Sequence, residues 1–358
     1  MDNLTHTLFA LTLARTRLGR GGRGTTPALV LASNAPDIDI VAALGGSANY
    51  LAWHRGPTHG LLGVVGLGLT TAALVWGGGK FIEQRPKGGG QSGDTARFST
   101  LLVVSIVGVL FHILMDLPTS YGTRLLSPFS WRWYAIDLLP IIDIYLLIVL
   151  VAGLVVGRRS AEAGRRCAAI VFVLMAVNYG GRAMAHHAAL HLTERQFGAT
   201  LPPACDQLAW GSLVDGWPPR TVPSSGGSDP CTVDTAALPT FLSPFQWRVI
   251  AQLSDAYEIY NVDVLDSRLP AAVRVPNHWT PIVLEAATTR TARSLLGFAR
   301  LPQARVSADS SGGSTVVFTD MRFVTGLADP QMPRRSALFL VTVTFSSDHK
   351  IVEERLGQ

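Results

Sequence analysis

The sequence predicts a membrane α-helical bundle followed by a small β-rich extracytoplasmic domain. Hydrophobic residues make up 48% of the 358 residues and charged residues only 15%, well under the roughly 25% charged share of soluble domains. Long apolar runs are confined to residues 1–199, whereas short alternating runs punctuated by Pro, Gly and Ser fill residues 200–358. We therefore expect two domains with these bounds, and about six transmembrane or partly spanning helices in the first.

Six apolar runs account for these helices. Two weaker runs come first, Leu4 to Leu18 and Pro27 to Leu44. The first spans about 22 Å as a helix, so it is expected to be a short or partly interfacial span. Four further runs are long enough to cross a hydrocarbon core, which takes about 20 helical residues: Leu61 to Gly79, Ser99 to Leu117, Leu138 to Gly157 and Cys167 to Ala185.

Basic residues are distributed unevenly among the loops between these runs. If all six cross, twelve Lys and Arg lie in one set of loops and four in the other. The positive-inside rule then places both termini and the C-terminal domain outside the cytoplasm. The net charge of +5 is thus an orientation signal, and no nucleic-acid partner is expected. The N-terminal segment has an acid before its apolar run and arginines after it, which does not predict a cleavable signal peptide.

The tail has the patterns of strands and tight turns. WRVIAQL and YEIYNVDVL are separated by SDA, which predicts a hairpin, and TVVFTDMRFV and ALFLVTVTF indicate further strands. SADSSGGS is expected to be a turn, and residues 218–230 a loop. Cys205 and Cys231 flank that loop and could pair in an oxidising compartment, although spacing alone does not decide it.

Two sets of side chains in the tail carry their own expectations. Trp247, Tyr257 and Tyr260 are expected to pack in the core or rest on the membrane rather than bind a ligand. Asp320 and Arg322 alternate onto one strand face, so they are expected to pair or to reach a polar site in the helical domain.

Ionisable residues interrupt the apolar half of the chain. Because the predicted helices alternate in direction, these residues all fall at the outer membrane face, and Asp137 and Asp143 begin the fifth helix there. An uncompensated buried carboxylate costs several kcal/mol, so cations are expected to balance the acids. The set comprises His6, Asp37, Asp39, His54, His59, His112 and Asp116.

The spacing of these residues favours metal ligation. His112 and Asp116 are four residues apart, which places them on one helix face, as shared ligands or as a simple hydrogen-bonded pair. The side chains of Asp37 and Asp39 would point apart on a continuous helix. Pro36 interrupts that helix, so one carboxylate can bind the metal while the other hydrogen-bonds to a ligand. An N-cap with a solvated helix end is the alternative.

The remaining histidines are weaker evidence when each is taken alone. His54 and His59 bracket a tight loop that can turn both rings inward, or they are unrelated interfacial residues. His6 stands alone on a short helix. A second cluster, HHAALH at residues 186–191, offers rival ligands or an interfacial helix end.

The order of DNLTH, APDID, HRGPTH and FHILMD, followed by YGTRLLSPFSWRWY and IIDIY, resembles a bacterial family of membrane-bound, predicted metal-dependent hydrolases. That family includes an inner-membrane protein reported to bind the LexA repressor. The resemblance covers roughly residues 1–150 and continues more loosely through LSPFQWRVI and FTDMRF. It implies an inner-membrane location, a metal site built from the seven His and Asp residues above, and Asp143 as an intramembrane partner. The family's histidine loop commonly ends THS, and Gly60 replaces that serine here.

The leading hypothesis is a metal-dependent hydrolase acting at the outer membrane face. Its cofactor would be one or two divalent ions, zinc first and manganese second. Asp39 is the candidate base or orienting group, and Arg55 would bind an anion such as phosphate unless it extends to lipid headgroups. Bilayer depth favours a lipid-linked or amphipathic substrate, with a phosphoester preferred. The expected metal ligands are His6, Asp37, His54, His59, His112 and Asp116.

Other hypotheses use the same residues. A metal could clamp the helix ends without catalysis while the β domain binds an envelope partner. Intramembrane acids can also line a transport path, but no internal repeat is evident. LexA binding is not carried over, because the predicted cytoplasmic side has only short basic loops. The sequence makes no prediction of oligomeric state.

Overall fold

Helices fill the first part of the chain and strands the last in a computed structural model. It describes residues 1–84, 95–197, 215–217, 231–266, 271–277, 279–310, 312–324 and 339–357. Two units are distinguished: the helical unit, Met1–Ile40 with Arg55–Ala183, and the sheet unit, Val41–His54 with Met184–Gln358. The predicted boundary between residues 199 and 200 lies outside the described residues and stays a prediction. The Gly-rich run KGGGQSGD at residues 87–94, which the sequence predicts to be a flexible turn, and the predicted loop 218–230 also lie outside them.

The first part of the chain consists of helices with one short strand. Asp2 caps the first helix by accepting from the Thr5 amide, and Asp143 caps the sixth through the amides of Tyr145 and Leu146. The elements are α1 (Asn3–Leu13), α2 (Thr25–Ala32), α3 (Ser47–Trp53), α4 (Leu61–Glu83), α5 (Phe98–Asp116), β1 (Trp133–Ala135), α6 (Ile144–Val156) and α7 (Ala161–Phe197).

Three to four of these helices are candidates to cross a membrane. α4, α5 and α7 are long and apolar enough, and α2 with the 3-10 helix Ala35–Gly45 makes a fourth as a broken span bent by 41°. The break predicted near Pro36 is therefore present. The predicted runs 4–18 and 138–157 contain the shorter helices α1 and α6, with 11 and 13 residues. α6 is short because Asp143 caps it five residues into the apolar run, so the count of six spans stays a prediction.

Small residues let the long helices approach closely. A Cβ added at Gly68 of α4 would lie 3.1 Å from the Ile106 Cα of α5, and one at Gly108 would lie 2.8 Å from the Ala32 Cβ of α2. Close backbone approach through small residues is typical of membrane helices. Many large apolar side chains of α4 remain exposed, as expected of a lipid-facing surface.

The described residues of the sheet unit form two antiparallel four-stranded sheets, ordered β3-β4-β5-β6 and β10-β9-β8-β7. β4 pairs with β5 and β7 with β8, so the predicted SDA hairpin and SADSSGGS turn are confirmed. The strands and helices are β2 (Asp215–Trp217), β3 (Thr232–Pro239), β4 (Gln246–Leu253), β5 (Ala256–Asp263), β6 (Val273–Pro276), α8 (Pro281–Ala286), α9 (Arg290–Phe298), β7 (Pro302–Ala308), β8 (Ser314–Asp320), β9 (Leu340–Phe345) and β10 (Ile351–Gly357).

The first sheet is covered on both faces. One face packs Trp247 and Tyr260 against Ala185 and Ala189 of α7. The other packs Tyr257 against residues that flank β7 and β8. The three aromatic residues are buried, which confirms their prediction as core.

The structure also describes the Asp320–Arg322 pair and two of the three cysteines. Asp320 and Arg322 pair with each other, the guanidinium donating to the carboxylate at 2.7 and 2.9 Å. Cys231 is disulfide-bonded and Cys167 is free, while Cys205 lies outside the described residues.

Candidate metal centre

The C-terminal turn of α5 supplies two of the converging side chains. His112 and Asp116 lie four residues apart on one helix face and are both buried. His112 Nε2 is 3.4 Å from Asp116 Oδ2. Its other nitrogen, Nδ1, donates to the Ser33 carbonyl oxygen at 2.8 Å. Because a carbonyl only accepts, this bond fixes the tautomer and leaves a lone pair on Nε2.

The 3-10 helix after the break brings two carboxylates to one imidazole. Asp37 Oδ1 lies 3.6 Å from His59 Nε2, and Asp39 Oδ2 lies 3.5 Å from His59 Nδ1. The Thr58 hydroxyl is 3.0 Å from the same Nδ1. Asp39 also accepts the Arg55 backbone amide at 2.7 Å. Asp39 thus ties the histidine turn to the 3-10 helix and orients the His59 ring.

His59 is held in the neutral form that metals bind. It ends the short 3-10 turn Pro57–His59 and is fully buried. Burial lowers the pKa of His59 to about 3, because an imidazolium loses its hydration in this environment. Its Nε2 lies 3.2 Å from His112 Nε2.

Four potential ligand atoms lie close to one another. They belong to Asp37, His59, His112 and Asp116 and lie within 4.8 Å of one another. Five of the six distances between these atoms run from 3.2 to 3.6 Å. Bonds of about 2.0–2.2 Å to a tetrahedral zinc give edges of about 3.3–3.6 Å.

The chemistry of the four atoms also fits a cation. Two imidazole lone pairs and two carboxylate oxygens face one another, and Asp116 Oδ2 is buried with no hydrogen-bond partner among the described residues. Four acceptors at this spacing repel each other unless positive charge lies between them. The residues therefore fit a divalent metal.

Cationic and aromatic groups surround the second oxygen of Asp116. His6 stacks on His112 with ring centroids 3.9 Å apart, and its Nε2 is 3.4 Å from Asp116 Oδ1. Arg55 Nη2 is 3.2 Å from the same oxygen, and the amine of Met1 contacts it as well. Oδ1 is thus held by these groups, while Oδ2 faces the other ligands.

Arg55 has other contacts besides the one with the Asp116 carboxylate. Its Nη1 donates to the Gly122 carbonyl oxygen at 3.1 Å, and its guanidinium lies 4.7 Å from the Tyr121 ring centroid. Its backbone has φ of 50°, which is uncommon outside glycine. The side chain is buried and fixed in direction, so it does not extend to the exterior.

The predicted ligands fall into three groups. Asp37, His59, His112 and Asp116 converge, and His6 contacts two of them without joining the tetrahedron. His54 stacks on Tyr50 within the sheet unit, with ring centroids 4.5 Å apart, and is not in the four-residue group. The rival cluster has His187 and His191 in ring contact, with centroids 4.1 Å apart.

Several groups that contact the centre were not predicted from the sequence. The Ser33 and Gly122 carbonyl oxygens are backbone atoms with no signature in the sequence. Thr58 does have one, since it precedes His59 directly, and its hydroxyl contacts that ring.

Gly60 allows the histidine turn to pack against Ser127. A Cβ at this position would lie 2.2 Å from the Ser127 carbonyl oxygen, so the serine common in the family does not fit without movement of backbone. We expect Gly60→Ala to lower the free energy of unfolding by about 1–3 kcal/mol, measured as thermal unfolding in detergent. Gly66→Ala is the matched control, because nothing lies within 4 Å of a Cβ there. Equal stability of the two variants would contradict this packing.

Spanning-length helices and a largely buried His2Asp2 cluster define the class: a membrane protein with a candidate metal centre. The family model of the YdjM inner membrane protein matches residues 1–189, more than half of the chain, and this chain belongs to that family. The resemblance predicted from the motifs is thereby confirmed, and all four converging residues lie in the matched region.

A comparison with curated proteins gives a more distant relative. The uncharacterized protein YfhP of Bacillus subtilis (strain 168) is 26% identical over 183 residues, covering 49% of this chain and 52% of that protein. The match therefore spans about half the length of the relative. No solved structure matches the chain.

Proposed function

We propose that this protein is an integral membrane metal-dependent hydrolase. It acts at the outer face of the bacterial cytoplasmic membrane on a lipid-linked or amphipathic ester, with a phosphoester preferred. The observation that carries the proposal is the close spacing of the four ligand atoms, with five of their six mutual distances at 3.2–3.6 Å. Two nitrogens and two oxygens in a tetrahedron suit zinc first, with manganese as the alternative. One ion would bind among them, and a second would use His6.

The roles of the residues follow from their positions. A bound divalent ion supplies a Lewis acid and lowers the pKa of its water towards about 7. Asp37 is the most accessible ligand, with its side chain 17% exposed, so substrate would approach from its side. Asp39 contacts the His59 ring at Nδ1, as an orienting group would, and is the candidate for that role or for the base. Arg55 places a positive charge beside Asp116, where it favours an anionic substrate group.

The membrane topology is part of the proposal. We place six spanning or partly spanning helices across the membrane, with both termini and the sheet unit outside the cytoplasm. Two independent features support this orientation: the bias of twelve basic residues against four in the loops, and the disulfide at Cys231, which suits an oxidising compartment.

One observation favours a second candidate function. Four protein ligands close a tetrahedral site, and closed sites are typical of structural zinc, whereas catalytic zinc keeps an open position. In this alternative the metal clamps the helix ends and the sheet unit binds an envelope partner. The additional polar groups beside the centre, Asp39 and Arg55, favour the hydrolase, because a clamp needs no base.

Metal removal and turnover separate the two functions. Purified protein in nanodiscs would be assayed on panels of ester and phosphoester lipids before and after chelation. The hydrolase predicts metal-dependent turnover that falls at least about 100-fold in Asp39→Asn, with the metal retained. No turnover on any panel, together with a large drop in unfolding temperature on chelation, would support the clamp and refute the hydrolase.

A further inference from the structure

The loop between β3 and β4 exposes a cluster of large apolar side chains. Phe241, Leu242 and Phe245 are all exposed in this loop, and Leu265, which follows β5, is exposed as well. Trp247 at the start of β4 is by contrast buried. The loop therefore carries apolar side chains both on its exposed surface and where it joins the buried part of the sheet.

These side chains share one end of the first sheet. Gln246 pairs with Asp263, and the Val264 amide donates to the Phe245 carbonyl oxygen at 2.9 Å. The opposite end is charged: Arg274 pairs with Asp255 at 2.9 Å and with Glu258 at 3.0 Å. The sheet is thus apolar at one end and ionic at the other.

Internal hydrogen bonds satisfy much of the loop's polar backbone. The Thr240 amide donates to the Gln246 carbonyl and its hydroxyl to the Ser243 carbonyl, at 3.3 and 3.0 Å. The Phe245 amide donates to the Ser243 hydroxyl, and Trp247 Nε1 to the Pro244 carbonyl. Polar groups that are already paired cost little when water is removed.

Trp247, at the end of this loop, contacts α7 directly after the apolar run Cys167 to Ala185. Trp247 contacts His186 of α7 with ring centroids 5.3 Å apart. A hydrocarbon core takes about 20 helical residues. Counted from Cys167, which follows Arg165 and Arg166, residue 186 is the twentieth. The apolar end of the sheet therefore packs against the part of α7 at which a span of that length would end.

We infer that the apolar tip formed by Phe241, Leu242, Phe245 and Leu265 inserts into the surface of the bilayer that α7 crosses. Residues 239–247 and 263–266 contain no Lys or Arg, and the latter include Asp263 and Asp266. Insertion therefore depends on apolar burial and not on attraction to anionic lipid. It holds the sheet unit against the membrane whether or not the metal centre is catalytic.

Site-specific labelling tests the inference. Leu242→Cys and Val352→Cys, each combined with Cys167→Ser, would carry an environment-sensitive fluorophore in nanodiscs. The two side chains are matched, at 68% and 66% exposed, but Val352 lies on β10 of the other sheet. Brominated lipid is expected to quench the Leu242 label at least about twofold and to leave the Val352 label unchanged. Quenching should be equal in zwitterionic and anionic lipid and persist at about 0.5 M salt.

Three outcomes would overturn the inference. They are equal quenching at both positions, a shielded Leu242 label that brominated lipid does not quench, and quenching that requires anionic lipid. Phe245→Cys serves as a second labelled position if Leu242→Cys does not fold, and it is expected to give the same quenching.

Discussion

His112→Ala is expected to reduce the metal content of the purified protein from about one ion per chain to below about a tenth. Its Nε2 is 3.2–3.5 Å from each of the other three ligand atoms, so its removal opens the tetrahedron and weakens binding by at least about 100-fold. Elemental mass spectrometry on protein purified without chelator measures this directly. A full complement of metal in the variant would contradict the assignment.

Matched variants show whether the loss is specific to the ligands. Ser105→Ala removes another buried polar group from α5 and is expected to keep its metal. His54→Ala is expected to keep it too, since His54 stacks on Tyr50 and is not in the four-residue group. Loss of metal in His54→Ala would restore the ligand set predicted from the sequence.

Asp143→Ala is expected to lower the free energy of unfolding by about 3–5 kcal/mol. Asp143 is buried and forms an ion pair with Arg182, whose Nε lies 3.0 Å from its Oδ2. It also accepts a hydrogen bond from the Asn178 side chain at 3.2 Å and caps α6. Removing it leaves a buried guanidinium without its counter-ion. Chemical unfolding in detergent, followed by circular dichroism, measures the loss.

A double variant separates the lost ion pair from the lost cap. Asp143→Ala combined with Arg182→Leu is expected to recover part of the stability, because no unpaired charge remains. Glu162→Ala breaks the exposed Glu162–Arg166 pair on the same helix and is expected to have no measurable effect. Equal stability of Asp143→Ala and Glu162→Ala would show that the buried pair contributes nothing.

Helix periodicity explains which parts of the site were predictable. His112 and Asp116 share a face because their spacing matches the helix repeat, whatever the surroundings. The Pro36 interruption similarly predicted that Asp37 and Asp39 need not diverge, and both contact the His59 ring. In these cases local sequence determines local geometry.

The remaining features depend on contacts between distant segments. The spacing of His54 and His59 in the sequence does not determine the direction in which each ring points. His54 directly follows α3, and its ring stacks on Tyr50 of that helix. Hydropathy marked residues 138–157 as one run, but Asp143 starts α6 well inside it. The backbone carbonyl of Ser33 is 79 residues from His112 in sequence, and no pattern of side chains indicates such a partner.

The tetrahedron draws its corners from three separate segments of chain: the 3-10 helix after α2, the turn before α4, and the end of α5. During biosynthesis it cannot capture an ion until residue 116 has been made and the three segments have come together. Metal occupancy therefore reports completed assembly of the bundle, and a substitution far from the centre that prevents this assembly would give an apoprotein.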